Sequence, residues 1–269
     1  MQRETVKLIP GRDEVYLDYY GNDDRSAVAD AMLVIPGGGY GAVCADREGE
    51  PIALAYLTRG LNAFVLHYSV GAQIRTPLDP LTQASLAMLH IRSNAARYNI
   101  DPARVFAVGF SAGGHLTGSL ATLWHDAELQ ARLPRQGADN RPTGAVLCYP
   151  VISSGGHGHM GSFYNLLGSK APDEAQLERF SLEKHVDSRT APAFLMHTFD
   201  DGLVPVENSL LMAEAYSRAH VPCELHIYPH GPHGLALANT LTWGGNPDML
   251  CPAAARWVDD SVAWMRTVG

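Results

Sequence analysis

The sequence contains no apolar run long enough to span a lipid bilayer, which excludes a transmembrane helix. Residues 1–7 are mostly polar and charged where a signal peptide has its apolar core, so we expect no export by that route and a cytoplasmic location. The four cysteines lie far apart with no C-x-x-C pair. We therefore expect reduced thiols, with the thiol at position 148 buried in an apolar run.

Positive charge is also scarce, with 20 Lys and Arg against 28 Asp and Glu, and the formal net charge is −8. This balance disfavours nucleic acids and anionic membrane surfaces as partners and favours a small or neutral substrate. Internal repeats, charge blocks and low-complexity linkers are missing as well. With 269 residues, 46% of them hydrophobic, the chain fits one large domain over residues 1–269. The sequence does not indicate an oligomeric state.

Apolar extended segments alternate with helical patterns along the chain. The predicted strands are 14–19, 31–36, 62–68, 104–109, 143–149, 193–198 and 223–229. The predicted helices are 50–59, 80–98, 112–125, 205–219 and 252–267. This alternation is typical of βαβ units and predicts an α/β fold, a mainly parallel central sheet with helices on both faces.

Residues 152–190 interrupt the alternation, because this segment is rich in Gly, Ser, His and charge. It is too long for a plain connection, and such excursions are often functional. We interpret it as a small cap or pocket wall within the single domain, with residues 181–185 starting a short helix.

The sequence G-F-S-A-G at residues 109–113 lies between an apolar strand and an Ala/Leu-rich helix. A G-x-S-x-G pattern at a sharp strand–helix turn exposes the serine hydroxyl, and the glycines remove Cβ atoms where strand and helix crowd together. Ser111 is therefore a candidate nucleophile. The pattern alone is weak, and a base, an acid and oxyanion donors are needed beside it.

A carboxylate in the loop after a late strand can orient a catalytic histidine. The strand at 193–198 is followed by two adjacent aspartates, Asp200 and Asp201, which compete for this role. The D-x-x-V-P pattern that begins at position 201 favours Asp201.

The last predicted strand is followed by P-H-G-P-H-G at residues 229–234. His233 is the preferred base because it lies further into the loop and a glycine follows it. His230 is the competing histidine, and His226 lies within the strand itself.

A glycine cluster at 37–39 follows an early strand and lets backbone N–H groups approach a substrate oxygen. We expect Gly38 and Gly39 to donate to the oxyanion together with the N–H of Ala112, which lies at a helix N-terminus. No phosphate-binding glycine pattern is present.

Three further residues are candidate substrate contacts. Tyr40 and Trp243 are aromatic side chains suited to a sugar or acyl pocket, and Glu50 lies close to the glycine cluster. The histidines at 157 and 159 have no carboxylate partner nearby in the sequence, so we expect no metal site. Acyl transfer by a serine also needs no cofactor.

The order glycine loop, Ser111, Asp201, His233 resembles that of the α/β-hydrolase superfamily over essentially the whole chain. Further motifs resemble its acetyl-esterase/lipase group, which includes bacterial acetylxylan and xylo-oligosaccharide esterases. These motifs are G-F-S-A-G-G-H at 109–115, S-L-E-K-H-V at 181–186, D-G-L-V-P-V-E-N-S at 201–209 and Y-P-H-G-P-H-G at 228–234. One departure is Pro36, since hormone-sensitive-lipase-like members begin the glycine loop with His.

The resemblance implies a serine esterase that removes small acyl groups, mainly acetyl, from acetylated sugars or xylo-oligosaccharides. Ser111 would attack the ester, His233 would move the proton, Asp201 would orient His233, and Gly38, Gly39 and Ala112 would hold the oxyanion. An arylformamidase-like amidase, a peptidase and a feruloyl-type esterase remain alternatives with the same triad. The polar segment 152–190 favours acetyl over long acyl chains.

Overall fold

The structure is a computed structural model that describes residues 1–268. Its strands form one eight-stranded sheet in the order β1-β2-β4-β3-β5-β6-β7-β8. The strands are Gln2–Lys7 (β1), Tyr16–Gly21 (β2), Ala29–Ile35 (β3), Asn62–His67 (β4), Ile100–Phe110 (β5), Ala145–Cys148 (β6), Ala193–Thr198 (β7) and Cys223–Tyr228 (β8). Strands β3 to β8 are parallel, and β1 and β2 are antiparallel at one edge. The predicted mainly parallel sheet is confirmed.

Helices follow most of the parallel strands. They are Ala45–Glu48 (α1), Glu50–Leu57 (α2), Asp79–Ser93 (α3), Ala95–Tyr98 (α4), Ala112–Thr122 (α5), Ala127–Arg132 (α6), Met160–Leu167 (α7), Glu174–Arg179 (α8), Glu207–Arg218 (α9) and Trp257–Met265 (α10). The pattern predicted as one helix over 80–98 is divided between α3 and α4 at Asn94. None of the helices in residues 1–268 is long and apolar enough to cross a membrane.

Both faces of the sheet are covered. Leu33 and Ile35 of β3 pack in one apolar cluster with residues of α3 and α5. Met32 and Val34 of the same strand pack in a second cluster with residues of α2 and α10. Because successive side chains point to opposite faces, a strand buried on both sides reads as a continuous apolar run. This arrangement explains why β3 was recognisable in the sequence.

Strand β5 is longer than predicted. Ile100 pairs with Ala29 and Val105 pairs with Ala31, so residues 101–104 bulge out opposite a single residue of β3. The N–H of Ala103 donates to the Asp101 carboxylate within this bulge. The chain therefore turns at Asp101 inside β5, ahead of the segment predicted as a strand from residue 104.

The segment 152–190 contains α7, α8 and a 3-10 turn at Leu182–Lys184. The 3-10 turn agrees with the short helix expected at 181–185. Asp173 caps helix α8: its side chain accepts from the N–H of Gln176, while the Gln176 side chain accepts from the N–H of Asp173. This capping box stabilises a helix too short to show apolar periodicity.

Candidate active site

Ser111 lies at the apex of a sharp turn between β5 and α5. Its backbone adopts φ 54° and ψ −119°, a region that L-residues rarely occupy and that is often found at functional sites. A Cβ on Gly109 would lie 2.1 Å from Thr117 Oγ1, and a Cβ on Gly113 would lie 2.2 Å from the Ile35 carbonyl oxygen. The turn therefore needs both glycines, as the sequence indicated.

The structure brings Ser111, His233 and Asp201 together, although they lie far apart in the sequence. His233 Nε2 is 2.8 Å from Ser111 Oγ, and His233 Nδ1 is 2.7 Å from Asp201 Oδ2. With Nδ1–H donating to the carboxylate, Nε2 is free to accept the serine proton. Ser111, Asp201 and His233 follow β5, β7 and β8, so they meet at the carboxyl edge of the parallel strands.

The Asp201 side chain is fully buried and held by several donors. Its Oδ1 accepts from the N–H groups of Leu203 and Val204 at 2.9 and 3.0 Å. Although burial alone raises the pKa of a carboxyl group, hydrogen bonds from His197 and His233 hold the pKa of Asp201 well below its ordinary value. Asp201 therefore remains ionised beside His233 in mildly acidic as well as neutral solution.

Asp200 and His230, the alternative acid and base candidates, bind each other. Asp200 Oδ2 lies 3.0 Å from His230 Nδ1, and the His230 side chain is 85% exposed. Asp200 also accepts from the N–H of Gly231, which closes the turn before His233. This exposed pair fixes the loop and does not contact Ser111, so the geometry favours Asp201 and His233 over it.

The glycine loop follows β3 on the same edge of the sheet. Gly38 and Gly39 have φ values of 125° and 63°, which glycine adopts without strain. In residues 1–268, the N–H groups of Gly38, Gly39 and Ala112 have no backbone acceptor. Ala112 is the first residue of α5, where helix geometry leaves its N–H free. All three N–H groups are therefore free of backbone hydrogen bonds within the described residues and lie on the same edge of the sheet as Ser111.

Glu48 and Tyr149 form a buried connection that the sequence interpretation missed. Glu48 Oε2 accepts from the N–H of Gly37 at 2.8 Å, and Tyr149 Oη donates to Glu48 Oε1 at 3.0 Å. The same Tyr149 oxygen accepts from the N–H of Ala236 at 2.9 Å, and its ring meets the His233 ring edge-on. The pair therefore links the start of the glycine loop to the histidine loop.

Burial raises the pKa of the Glu48 carboxyl, while its hydrogen bond from Gly37 lowers it. Glu48 was not among the candidate site residues that the sequence suggested. Its distinguishing feature is structural: Glu48 is only 1% exposed although it is a carboxylate near the glycine loop. Only the fold shows that its partner lies 101 residues away.

The segment 152–190 reaches the site through α7. Asn165 Nδ2 donates to the Gly39 carbonyl oxygen at 2.8 Å. His159, at the start of α7, lies 2.9 Å from Ser162 Oγ through its Nδ1. Burial lowers the pKa of His159, and the nearby His233 lowers it further. His159, which was not among the candidate site residues, therefore lies near His233 and Asp201.

Two of the three predicted substrate contacts lie elsewhere. Tyr40 is 1% exposed, and its hydroxyl lies 2.8 Å from His115 Nδ1 in the core, so its side chain cannot line an open pocket. Glu50 pairs with Arg3 of β1 at 3.3 Å and faces away from the glycine loop, which is served by the neighbouring acid, Glu48. Trp243 is half-exposed in the segment after His233.

Two further residues with reactive side chains, His115 and Cys148, are buried in the core. His115 is buried beneath the serine turn, and burial lowers its pKa to about 4, so it is neutral. Cys148 is fully buried and unpaired, as expected. In residues 1–268 there is no group of three or more His, Cys, Asp or Glu side chains that could hold a metal ion.

Comparison with known proteins gives two kinds of likeness. The BD-FAE family model matches residues 17–216, which is more than half of the chain. Among solved structures, the acetyl ester-xyloside bifunctional hydrolase from Caldicellulosiruptor lactoaceticus is 36% identical. Its TM-score is 0.83, with 98% of this chain and 96% of that chain covered.

The chain belongs to the BD-FAE family. The expected resemblance to α/β-hydrolases of the acetyl-esterase group is thereby confirmed, as is the fold class. A carboxylesterase from Lactobacillus plantarum, 26% identical, has the same fold with a TM-score of 0.83 over 99% of this chain and 98% of that chain.

Two sequence relatives of this BD-FAE chain are longer proteins. Endo-1,4-beta-xylanase B of Butyrivibrio fibrisolvens is 43% identical over 230 residues, or 84% of this chain. Acetylxylan esterase of Xylanibacter ruminicola is 31% identical over 232 residues, or 85% of this chain. The chain spans only 35% and 45% of the length of these two proteins.

Proposed function

We propose that the protein is a serine carboxylic-ester hydrolase that removes acetyl groups from acetylated sugars or xylo-oligosaccharides. The observation that carries the proposal is the continuous hydrogen-bonded chain from Asp201 through His233 to Ser111. Relatives named acetylxylan esterase and acetyl ester-xyloside hydrolase support the substrate class.

In the first step Ser111 Oγ attacks the ester carbonyl carbon while His233 Nε2 takes its proton. The N–H groups of Gly38, Gly39 and Ala112 stabilise the negative oxygen of the tetrahedral intermediate. Loss of one such donor costs about 3 kcal/mol of transition-state stabilisation. His233 then protonates the leaving alcohol, and the acetyl group remains on Ser111.

In the second step His233 removes a proton from water, and the resulting hydroxide attacks the acyl-enzyme. The intermediate collapses to release acetate and restore the Ser111 hydroxyl. Asp201 holds the His233 tautomer in both steps and stabilises the imidazolium. Its lowered pKa suits this role, because the carboxylate does not accept the proton itself.

The single domain carries residues 152–190 as a wall of this site. Polar side chains of this segment, His159, Ser162 and Asn165, lie on the side of the glycine loop. A wall of this kind offers little apolar surface to a long acyl chain. Acetyl esters should therefore be hydrolysed faster than butyryl or octanoyl esters of the same alcohol. Faster turnover of the longer esters would contradict this assignment.

The direct test compares hydrolysis of 4-nitrophenyl acetate by the wild type, Ser111→Ala and His233→Ala. We expect both substitutions to lower kcat by about four to six decades. His230→Ala is the matched control, since His230 lies in the same loop but binds Asp200 at the surface, and it should retain most of the wild-type turnover. Equal turnover by the wild type and Ser111→Ala would refute the proposal. Faster cleavage of an aryl formamide than of acetyl esters would favour the amidase alternative.

A further inference from the structure

A cleft of about 430 Å³ lies between the segment after the glycine loop and the segment after the histidine loop. Its first wall contains Cys44, Asp46 and Arg47, and its second wall is the stretch 241–249. Small-molecule sites commonly have volumes of this order. The role proposed for the triad does not by itself use this cleft.

The cleft is connected to both the glycine loop and the histidine loop of the active site. The N–H of Cys44 donates to the Gly37 carbonyl oxygen at 3.0 Å, so the first wall continues directly from the glycine loop. A Cβ on Gly234 would lie 3.2 Å from Arg47 Nη2, which places the guanidinium group against the residue that follows His233. An alcohol leaving Ser111 therefore has this cleft beside it.

Arg47 brings hydrogen-bond donors that the protein leaves largely unused. Its side chain is half-buried beside the Cys44 thiol, and Arg47 takes part in none of the ion pairs of residues 1–268. The guanidinium group carries five N–H donors in a planar fork. An acceptor-bearing ligand in the cleft would engage guanidinium donors that no carboxylate of residues 1–268 pairs with.

Trp243 provides the opposite wall with an aromatic surface. It is half-exposed, and Leu241 beside it is 65% exposed. The segment is held in place from below, because Thr242 is buried and its Oγ1 accepts from the N–H of Leu237. The N–H of Asn246 donates to the Trp243 carbonyl oxygen across a two-glycine turn. Trp243 therefore lines the cleft from an ordered loop and packs in part against the second apolar cluster.

We infer that this cleft binds the sugar ring of the leaving alcohol, with the ring stacked on Trp243 and its hydroxyls bonded to Arg47 and Asp46. This assignment rests on the proposed esterase function. Sugar hydroxyls both donate and accept, and the cleft offers a donor in Arg47 and an acceptor in Asp46. An acyl chain would leave these charged groups unpaired, and the Asp46 carboxylate disfavours an anionic ligand.

The test measures acetate release in a pH-stat from two esters, ethyl acetate and an acetylated xylo-oligosaccharide. Trp243→Ala should lower kcat/KM for the sugar ester at least tenfold more than for ethyl acetate, mainly through KM. Trp243→Phe should restore most of the loss, since it keeps an aromatic face. Trp124→Ala is the matched control, because Trp124 bonds the Arg189 carbonyl oxygen away from this cleft. It should keep the wild-type ratio of the two activities.

Equal losses on both esters in folded Trp243→Ala would overturn the sugar assignment and leave the esterase function standing. The same conclusion would follow if Arg47→Gln changed the two activities in equal proportion. If the wild type hydrolysed neither ester, the proposed function would fail and this assignment with it. Circular dichroism of each variant establishes that the compared proteins are folded.

Discussion

Replacing Tyr149 by Phe tests whether the buried link between the two catalytic loops matters for activity. The substitution removes one oxygen and keeps the ring that meets His233 edge-on. Two buried groups then lose a partner: Glu48 Oε1 loses its donor, and the N–H of Ala236 loses its acceptor. Ala236 lies three residues after His233, and Glu48 also holds Gly37.

The expected size of the effect follows from these two contacts. A buried polar group without a partner costs about 1–3 kcal/mol, so we expect the two groups together to lower the free energy of unfolding of Tyr149→Phe by about 2–6 kcal/mol. A small misplacement of catalytic groups can cost about 100-fold in rate. Both loops become less constrained, and kcat/KM should fall by about 10- to 100-fold.

The loss of stability should depend on pH. Burial raises the pKa of Glu48, and the Tyr149 hydroxyl opposes that rise. Without the hydroxyl the folded-state pKa rises further above the unfolded value, so the folded state holds its proton more tightly. At pH values below the unfolded-state pKa, Glu48 is protonated and its contribution to stability is fully present. That contribution is lost as the pH rises through the folded-state pKa. The difference between wild type and Tyr149→Phe should therefore be smaller in acid than at neutral pH.

Urea unfolding over a pH series measures the stability, and 4-nitrophenyl acetate hydrolysis well below the melting temperature measures the activity. Tyr216→Phe is the matched control, since Tyr216 is equally buried and donates to the Ala191 carbonyl oxygen away from the site. It should lose stability, about 1 kcal/mol, but keep its activity. Wild-type activity in Tyr149→Phe at a comparable loss of stability would refute the idea that the link positions the loops.

Two further results follow from the site. Gly113→Ala should lower the free energy of unfolding by about 3 kcal/mol, because its Cβ would lie 2.2 Å from the Ile35 carbonyl oxygen. A urea titration measures this loss, and an unchanged unfolding midpoint would contradict the crowding at the serine turn. Asp201→Asn should be less stable than the wild type at neutral pH, with the difference shrinking as pH falls. The pKa of Asp201 is lower in the folded protein than in the unfolded chain. The ionised carboxylate therefore stabilises the fold at pH values above the unfolded-state pKa, and this stabilisation is lost as the pH falls towards the folded-state pKa. A difference that stays constant down to strongly acidic pH would contradict this account.

The parallel core of the fold was predictable because burial on both faces leaves continuous apolar runs in β3 and β6. Strand β1 was missed since it is an edge strand whose alternate residues are exposed and polar. The short helices α6 and α8 carry no readable periodicity. Their aspartate caps, Asp126 and Asp173, were the signal that could have located them.

Within the site, residues with a backbone motif were predictable, and residues defined by long-range contacts were not. Ser111 and the glycine loop are marked by glycines that the turn geometry requires. Glu48 and Tyr149 meet only after β3 and β6 have taken their places in the sheet. Tyr40 looked accessible because it follows the glycine loop, but its positive φ of 56° accompanies a side chain buried on His115.

Rapid mixing of the wild-type protein with 4-nitrophenyl acetate, followed by acid quench and peptide mass spectrometry, identifies the residue that carries the acyl group. We predict an acetyl group on the peptide that contains Ser111, formed within the first turnover and absent from Ser111→Ala. Acetyl on another residue, or full turnover by Ser111→Ala with no acetylated peptide, would contradict the assignment of Ser111 as the nucleophile.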